Sequence, residues 1–352
     1  MRTWEWVFLI VGTAACGFPR PAPVVNDDGG TGSVDGAASV DGAASADAAP
    51  AVPPPSCAPL AMTCGANGND DCCRSLEVPG GTYYRSYDVA GDPTSGNMSF
   101  PATVGSFRLD TYEVTVGRFR TFLNAGMGTQ ARPPTLNAGE HAAIPASGWN
   151  PTWNSSLAMD TASLIEGLKG GAVAHLATWT DVPGANDSRP INFVTWYEAM
   201  AFCIWDGGYL PTEAEWNYAA AGGDQQRAYP WSTQDAPLII ESTYASYSCG
   251  SGGAPACDVN KFTTPGSHPN GDGRWGQSDL AGNVGEWVLD YWHPTYSTPC
   301  VDCASLVVSP SRGVRGGDEQ SSSGFLRSAY RKDDSPPDLR LAGHGVRCAR
   351  SL

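Results

Sequence analysis

Eleven cysteines, five histidines, a run of three serines and one acidic turn are the residues of this 352-residue chain whose types could do chemistry. Cys57, Cys64, Cys72 and Cys73 crowd a short segment. Two bridges linking the first pair to the second are expected there, because adjacent cysteines bridge each other only with strain. Zinc would call for two Cys-x-x-Cys units, which this spacing lacks. Cys300-Val-Asp-Cys303 has the spacing of a redox pair, but no strand-to-helix pattern follows it, so a structural bridge is expected. His141, His175, His268, His293 and His344 are scattered without ligand spacing, and an iron triad needs two of them converging with a carboxylate. Ser321, Ser322 and Ser323 could serve as nucleophiles only beside a base, and no elbow motif surrounds them. No glycine loop of the phosphate-cradling kind occurs.

Ten of these cysteines make sense in an oxidising compartment, and the N-terminus reads as an export signal. Arg2, an apolar run from Trp6 to Val11 and small residues lead to Cys16, the order of a signal peptide. Thr13-Ala-Ala-Cys16 is similar to a bacterial lipobox, in which the cysteine carries acyl chains. The run is far shorter than the roughly 20 apolar residues of a spanning helix. Residues 17–56 read as a linker: Val34-Asp-Gly-Ala-Ala-Ser39 repeats at Val40 to Ser45, and too little is apolar to offset the entropy of ordering. Such a chain spans on the order of 35 Å, enough to hold a domain clear of a membrane. The expected organisation is a signal with its lipidated Cys16 over 1–16, the linker over 17–56, a cysteine-rich module over 57–75 and a folded domain over 76–352. The net charge of −15 argues against nucleic acid and against contact with anionic lipid except through the anchor. A monomer of the bacterial cell envelope, lipid-anchored or secreted, is the expectation.

The elements that must position these residues are short. Residues 78–84 read as a turn into a strand, and Phe107 to Val114 alternates as a second strand. Thr115 caps a helix with Val116, Phe119, Phe122 and Leu123 on one face, ended by Gly126. Residues 131–186 read as long loops with one or two short helices. Ile191 to Val194 reads as a short strand. Two capping boxes follow, Thr195 with Glu198 and Thr212 with Glu215, each opening a helix that closes on a glycine pair. The sum is an irregular α+β domain.

Several ordered motifs resemble the formylglycine-generating, sulfatase-modifying family. They are Pro190-Ile-Asn-Phe-Val-Thr-Trp-Tyr-Glu-Ala-Met-Ala-Phe-Cys203, Tyr209-Leu-Pro-Thr-Glu-Ala-Glu-Trp216, Asp279-Leu-Ala-Gly-Asn-Val-Gly-Glu-Trp287, Arg315-Gly-Gly317, Leu326-Arg-Ser-Ala-Tyr-Arg331 and Gly345-Val-Arg-Cys-Ala-Arg350. The resemblance implies a variant of the C-type-lectin fold. Active members oxidise a substrate cysteine to formylglycine with copper held by two cysteines, which lie between the Arg-Gly-Gly and Tyr-Arg motifs. Here no cysteine occurs from Ala304 to Arg347. The nearest equivalents are Ser321 or Ser322 and Leu326 or Arg327, and a hard hydroxyl does not replace a thiolate for Cu(I). Tyr209 also stands where the family has an arginine. Copper oxidase activity is therefore not expected, and no catalytic residue is assigned.

The resemblance further implies a long-range bridge between Cys203 and Cys348, and a second family bridge that has lost both partners, leaving Ala220 and Lys332. Cys249 and Cys257 then close a local loop. Asp279, Gly282, Val284 and Glu286 match a calcium site of the family, where two carboxylates and backbone carbonyls would surround a hard cation; the alternative is a plain turn, with Glu286 solvated or paired to an arginine. A second calcium site would fall near Ser246 and Tyr247. Two functions remain open. One is a surface binding module whose groove, floored by residues 318–332 and rimmed by Trp149, Trp153 and Trp179, takes a peptide or glycan. The other is an enzyme of altered chemistry acting on an envelope protein, by formylglycine-type modification or non-haem iron oxidation.

Overall fold

The computed structural model describes residues 53–57, 63–90, 97–233, 240–250, 256–332 and 335–352. The expected signal, Cys16 and nearly all of the linker lie outside the described residues. Among the described residues, twelve regular elements are connected by long irregular stretches and single helical turns, an α+β arrangement with few long elements. β1 (Ser75–Val78), β4 (Phe107–Asp110) and β8 (Ala349–Arg350) form one antiparallel sheet with β4 central. β2 (Gly81–Tyr84) pairs with β3 (Pro101–Val104) as a separate hairpin-like ladder. A third sheet places β5 (Gly285–Tyr291) between antiparallel β6 (Arg312–Arg315) and parallel β7 (His344–Gly345).

The helices form where local sequence supplies both face and cap. α1 (Val116–Asn124) starts at Thr115, whose hydroxyl accepts the Arg118 amide, and it buries Val116, Phe119, Phe122 and Leu123. α2 (Thr161–Leu168) is capped by Asp160. α3 (Trp196–Trp205) and α4 (Glu213–Ala220) each begin with a closed capping box, so two orphan amides are satisfied reciprocally. α1 and α3 stack Phe119, Phe122 and Phe202 in one core. α4 packs Trp216 and its alanines against β2, β3 and β4 in another.

One expectation about elements changes. Residues 191–194 make no strand: only Thr115 and Pro190 bridge, and Phe193 takes a positive φ of 56° so that its N–H reaches the Leu341 carbonyl. A long-range hydrogen bond thus overrides a local β pattern. The cysteine-rich segment is anchored to the core by one side chain. Arg118, fully buried, donates to Ser56 Oγ, to the Cys72 carbonyl and to Asp110 and Asp206, tying that segment into the core. The structure pairs Cys57 with Cys73, Cys64 with Cys72, Cys203 with Cys348, Cys249 with Cys257 and Cys300 with Cys303.

Candidate functional site

A cavity of about 440 Å³ opens between the end of β6, β7 and the loop that follows β6. Ser321, Ser322, Phe325, Tyr330, Lys332 and His344 line it together with Asp318, Gln320 and backbone of Gly285, Gly317 and Gly343. The Arg-Gly-Gly motif shapes its floor: Gly316 and Gly317 adopt positive φ, which lets the chain leave β6 and fold back as the 318–326 loop. Asp318 organises that loop, its Oδ1 accepting the Ser321 hydroxyl at 2.7 Å and the Gln320 amide at 3.1 Å. Phe325, 46 % exposed, packs edge-on against Tyr330 with ring centroids 4.8 Å apart.

His344 ends this cavity at its inner side. It is fully buried, neither ring nitrogen has a partner among the described residues, and its ring meets Trp287 edge-on at 4.8 Å. Burial, with a smaller contribution from the Lys332 charge, pushes its imidazole down to about 3, so it is neutral at physiological pH. Glu319, next to Asp318 in sequence, is buried with Oε2 unpartnered among the described residues. Burial and the Asp318 charge push its carboxyl up to about 8.

The positions nearest the lost cysteine pair separate in space. Ser321 and Ser322 face the cavity, whereas Leu326 is fully buried in a small apolar cluster and Arg327 pairs with Asp88. All ten described cysteines are in disulfides, and none lines the cavity. The donor set for Cu(I) is therefore missing from the cavity itself, because hydroxyls do not supply the soft ligand field.

Of the expected calcium residues, Glu286 has its carboxylate already engaged. Glu286 gives both carboxylate oxygens to Arg347 at 2.7–3.0 Å and also accepts the Trp216 indole N–H at 2.7 Å. Arg347 is fully buried, and its remaining donors go to the Asp110, Thr111 and Ser278 carbonyls. A divalent cation on Glu286 would share the carboxylate with a fixed guanidinium, so the arginine-paired alternative is the arrangement found. Asp279 accepts the Gly266 amide at 2.6 Å and leaves Oδ1 unpartnered, 4.0 Å from His268 Nδ1. Near the second expected site, Ser246 and Tyr247 donate their hydroxyls to the Lys261 and Ile240 carbonyls. Among the described residues no group of three or more histidine, cysteine or acidic side chains could hold a metal.

Other expectations are corrected by position. Trp149, Trp153 and Trp179 do not rim the cavity; they belong to the core around α1 and α3, with Trp149 completely buried. The hydrophobic demand of a large indole outweighs any role at a rim. At Ala220, the Ser328 hydroxyl donates to the backbone carbonyl at 3.0 Å. Lys332 bridges Val314 through its backbone and turns its side chain to the cavity. The histidines stay apart: His141 is 3.3 Å from Glu215, and His293 meets the Val307 carbonyl.

One group was not anticipated from sequence. Glu213, the first residue of α4, receives Arg315, Arg331 and the Tyr296 hydroxyl within 2.6–3.1 Å. Burial favours its neutral form, yet Arg331 and Arg315 hold its carboxyl down at about 2. The two arginines belong to motifs quoted above, but nothing local in sequence links them to Glu213.

The Sulfatase-modifying factor enzyme 1-like domain family matches residues 63–352. The chain is 29 % identical over 306 residues to a formylglycine-generating enzyme of Thermomonospora curvata, covering 78 % of this chain and 92 % of that one. It is 26 % identical over 240 residues to an inactive C-alpha-formylglycine-generating enzyme 2 of Bos taurus, covering 64 % and 73 % respectively. Among solved structures, PvdO from Pseudomonas aeruginosa aligns with a TM-score of 0.51 at 20 % identity, over 79 % of this chain and 94 % of PvdO, a likeness of fold.

Proposed function

The chain belongs to the sulfatase-modifying factor enzyme 1-like family, and from that premise we propose that its cavity over residues 317–332 binds a peptide or glycan without oxidising it. The observation that carries this reading is the lining itself: hydroxyls, an amide, an ammonium and an aromatic pair stand there, and no thiol does. Phe325 and Tyr330 offer apolar faces suited to a sugar ring or an aliphatic side chain, while Ser321, Ser322, Gln320 and Lys332 supply hydrogen bonds at the edges. A family containing both a formylglycine-generating enzyme and a relative named inactive is compatible with loss of the reaction on a retained fold. With Cys16 as lipid anchor and residues 17–56 as spacer, the domain would stand off the bacterial cell envelope and meet ligands outside the cytoplasm.

A second reading, an enzyme of altered chemistry on an envelope protein, has one observation in its favour. His344 lines the same cavity with both ring nitrogens unpartnered among the described residues, so its ring is free to hydrogen-bond a bound substrate. Two measurements separate the readings. Incubated with copper and oxygen, the full chain leaves a Cys-x-Pro-x-Arg peptide unmodified by mass; appearance of formylglycine overturns the binding reading. On peptide and glycan arrays the full chain retains specific ligands that the exposed Phe325→Ala variant loses, and retention by that variant places the binding elsewhere.

A further inference from the structure

A second cavity, about 280 Å³, shares Tyr330 with the first and is lined by Arg85, Ser86, Asn97, Tyr296 and Arg331, among others. We infer that it is a binding site for an oxyanion: a carboxylate, sulfate or phosphate group carried by a small ligand. The inference stands on residues other than those of the ligand cavity, Tyr330 excepted, and does not depend on what that cavity does.

Three guanidinium groups converge on Tyr296. Arg85 and Arg331 lie 4.3 Å and 4.1 Å from its ring centroid, and Arg315 donates to its hydroxyl at 2.7 Å. Against these three cations stand two carboxylates. Glu213 is shared between Arg315 and Arg331. Asp290 accepts the backbone amides of Glu213 and Ser305, and burial pushes its carboxyl up to about 6. One positive charge is therefore left over, on a chain whose net charge is −15.

The surplus falls on Arg85. Only 5 % exposed, it donates to the Ser297 carbonyl at 2.6 Å and to Cys303 Sγ at 3.5 Å. Its Nε is buried without a partner, and no carboxylate lies within ion-pair distance of it among the described residues. The Tyr296 ring offsets part of the cost of burying that charge, as cation–π contacts do. A ring and a carbonyl do not neutralise it, whereas a bound oxyanion would, through charge-assisted hydrogen bonds. Asn97, whose Oδ1 takes the Ser99 amide, presents its side-chain NH2 as a neutral donor at the same cavity, which suits an acceptor-rich guest.

The test titrates the full chain with sodium sulfate, sodium phosphate and sodium acetate, ionic strength being held constant with sodium chloride, and reads the melting temperature. At least one of the three raises it saturably, and the preferred one identifies the group recognised. Arg85→Gln weakens that response about tenfold or more, the loss of a charge-assisted contact, and Arg85→Lys falls between. The inference is overturned if none of the three exceeds chloride, or if Arg85→Gln responds like the parent. Should Arg85→Gln not fold, Asn97→Asp, which adds a negative charge at an exposed position of the cavity wall, must weaken the response; an unchanged affinity there also overturns it.

Discussion

Glu319 is buried with one carboxylate oxygen unpartnered, and burial together with Asp318 pushes its carboxyl up to about 8, Lys332 acting in the opposite direction. An unfolded glutamate titrates near 4.3. Between those values the folded chain keeps a proton that the unfolded chain has released, so this contribution to stability is complete at low pH and is lost as pH rises toward 8. Glu319→Gln, which removes the titration, should raise the melting temperature at pH 8.5 by several degrees more than at pH 5; equal shifts at both would show that the site does not titrate in this window. Glu286 carries the opposite lesson, since Arg347 takes both of its oxygens in the core. Breaking a buried pair leaves a bare charge, so Glu286→Ala should cost on the order of 3–5 kcal/mol in urea denaturation. EDTA at neutral pH should leave the melting temperature of the parent unchanged. A fall on EDTA that calcium reverses would show that the ion, and not the arginine, holds this turn.

The elements were legible where their signals are local. Thr195 and Thr212 each accept the amide three residues on, and Glu198 and Glu215 return the bond, as the capping-box spacing requires. Thr195→Ala should lower stability by about 1 kcal/mol, measured by chemical denaturation, with the fold retained. The strand expected at residues 191–194 failed because its backbone partners, Val114 and Leu341, lie far away in sequence and bend the chain at Phe193. Between β7 and the 318–326 loop, Gly343 is the contact point: a Cβ there would sit 2.1 Å from Asp318 Oδ2. Gly343→Ala should therefore displace Asp318, release the Ser321 hydroxyl it holds and abolish array binding, while far-ultraviolet circular dichroism stays near that of the parent.

Across the whole molecule, the Cys203–Cys348 bridge joins α3 to the segment between β7 and β8, at a separation of 145 residues. Closing so long a loop restricts the unfolded chain most, and replacing both cysteines by alanine should cost about 4–5 kcal/mol in the chain-entropy account. A midpoint in urea unchanged by that replacement would refute it. By itself the sequence determined the family, the α+β class, the capped helices and the absence of a thiol from residues 304–347, because motifs, caps and missing residue types are properties of the chain read in order. It did not reveal that Trp149 and Trp179 are core, that Ser328 bonds the Ala220 carbonyl, that Arg347 occupies Glu286, or that three arginines converge on Tyr296. Those pairings join residues as far apart in sequence as Arg85 and Tyr296. They depend on which buried charges and rings come to share one space, and only the tertiary structure decides that. The missing thiol was plain from the start; its consequence, a cavity walled by hydroxyls, an ammonium and a neutral imidazole, was not.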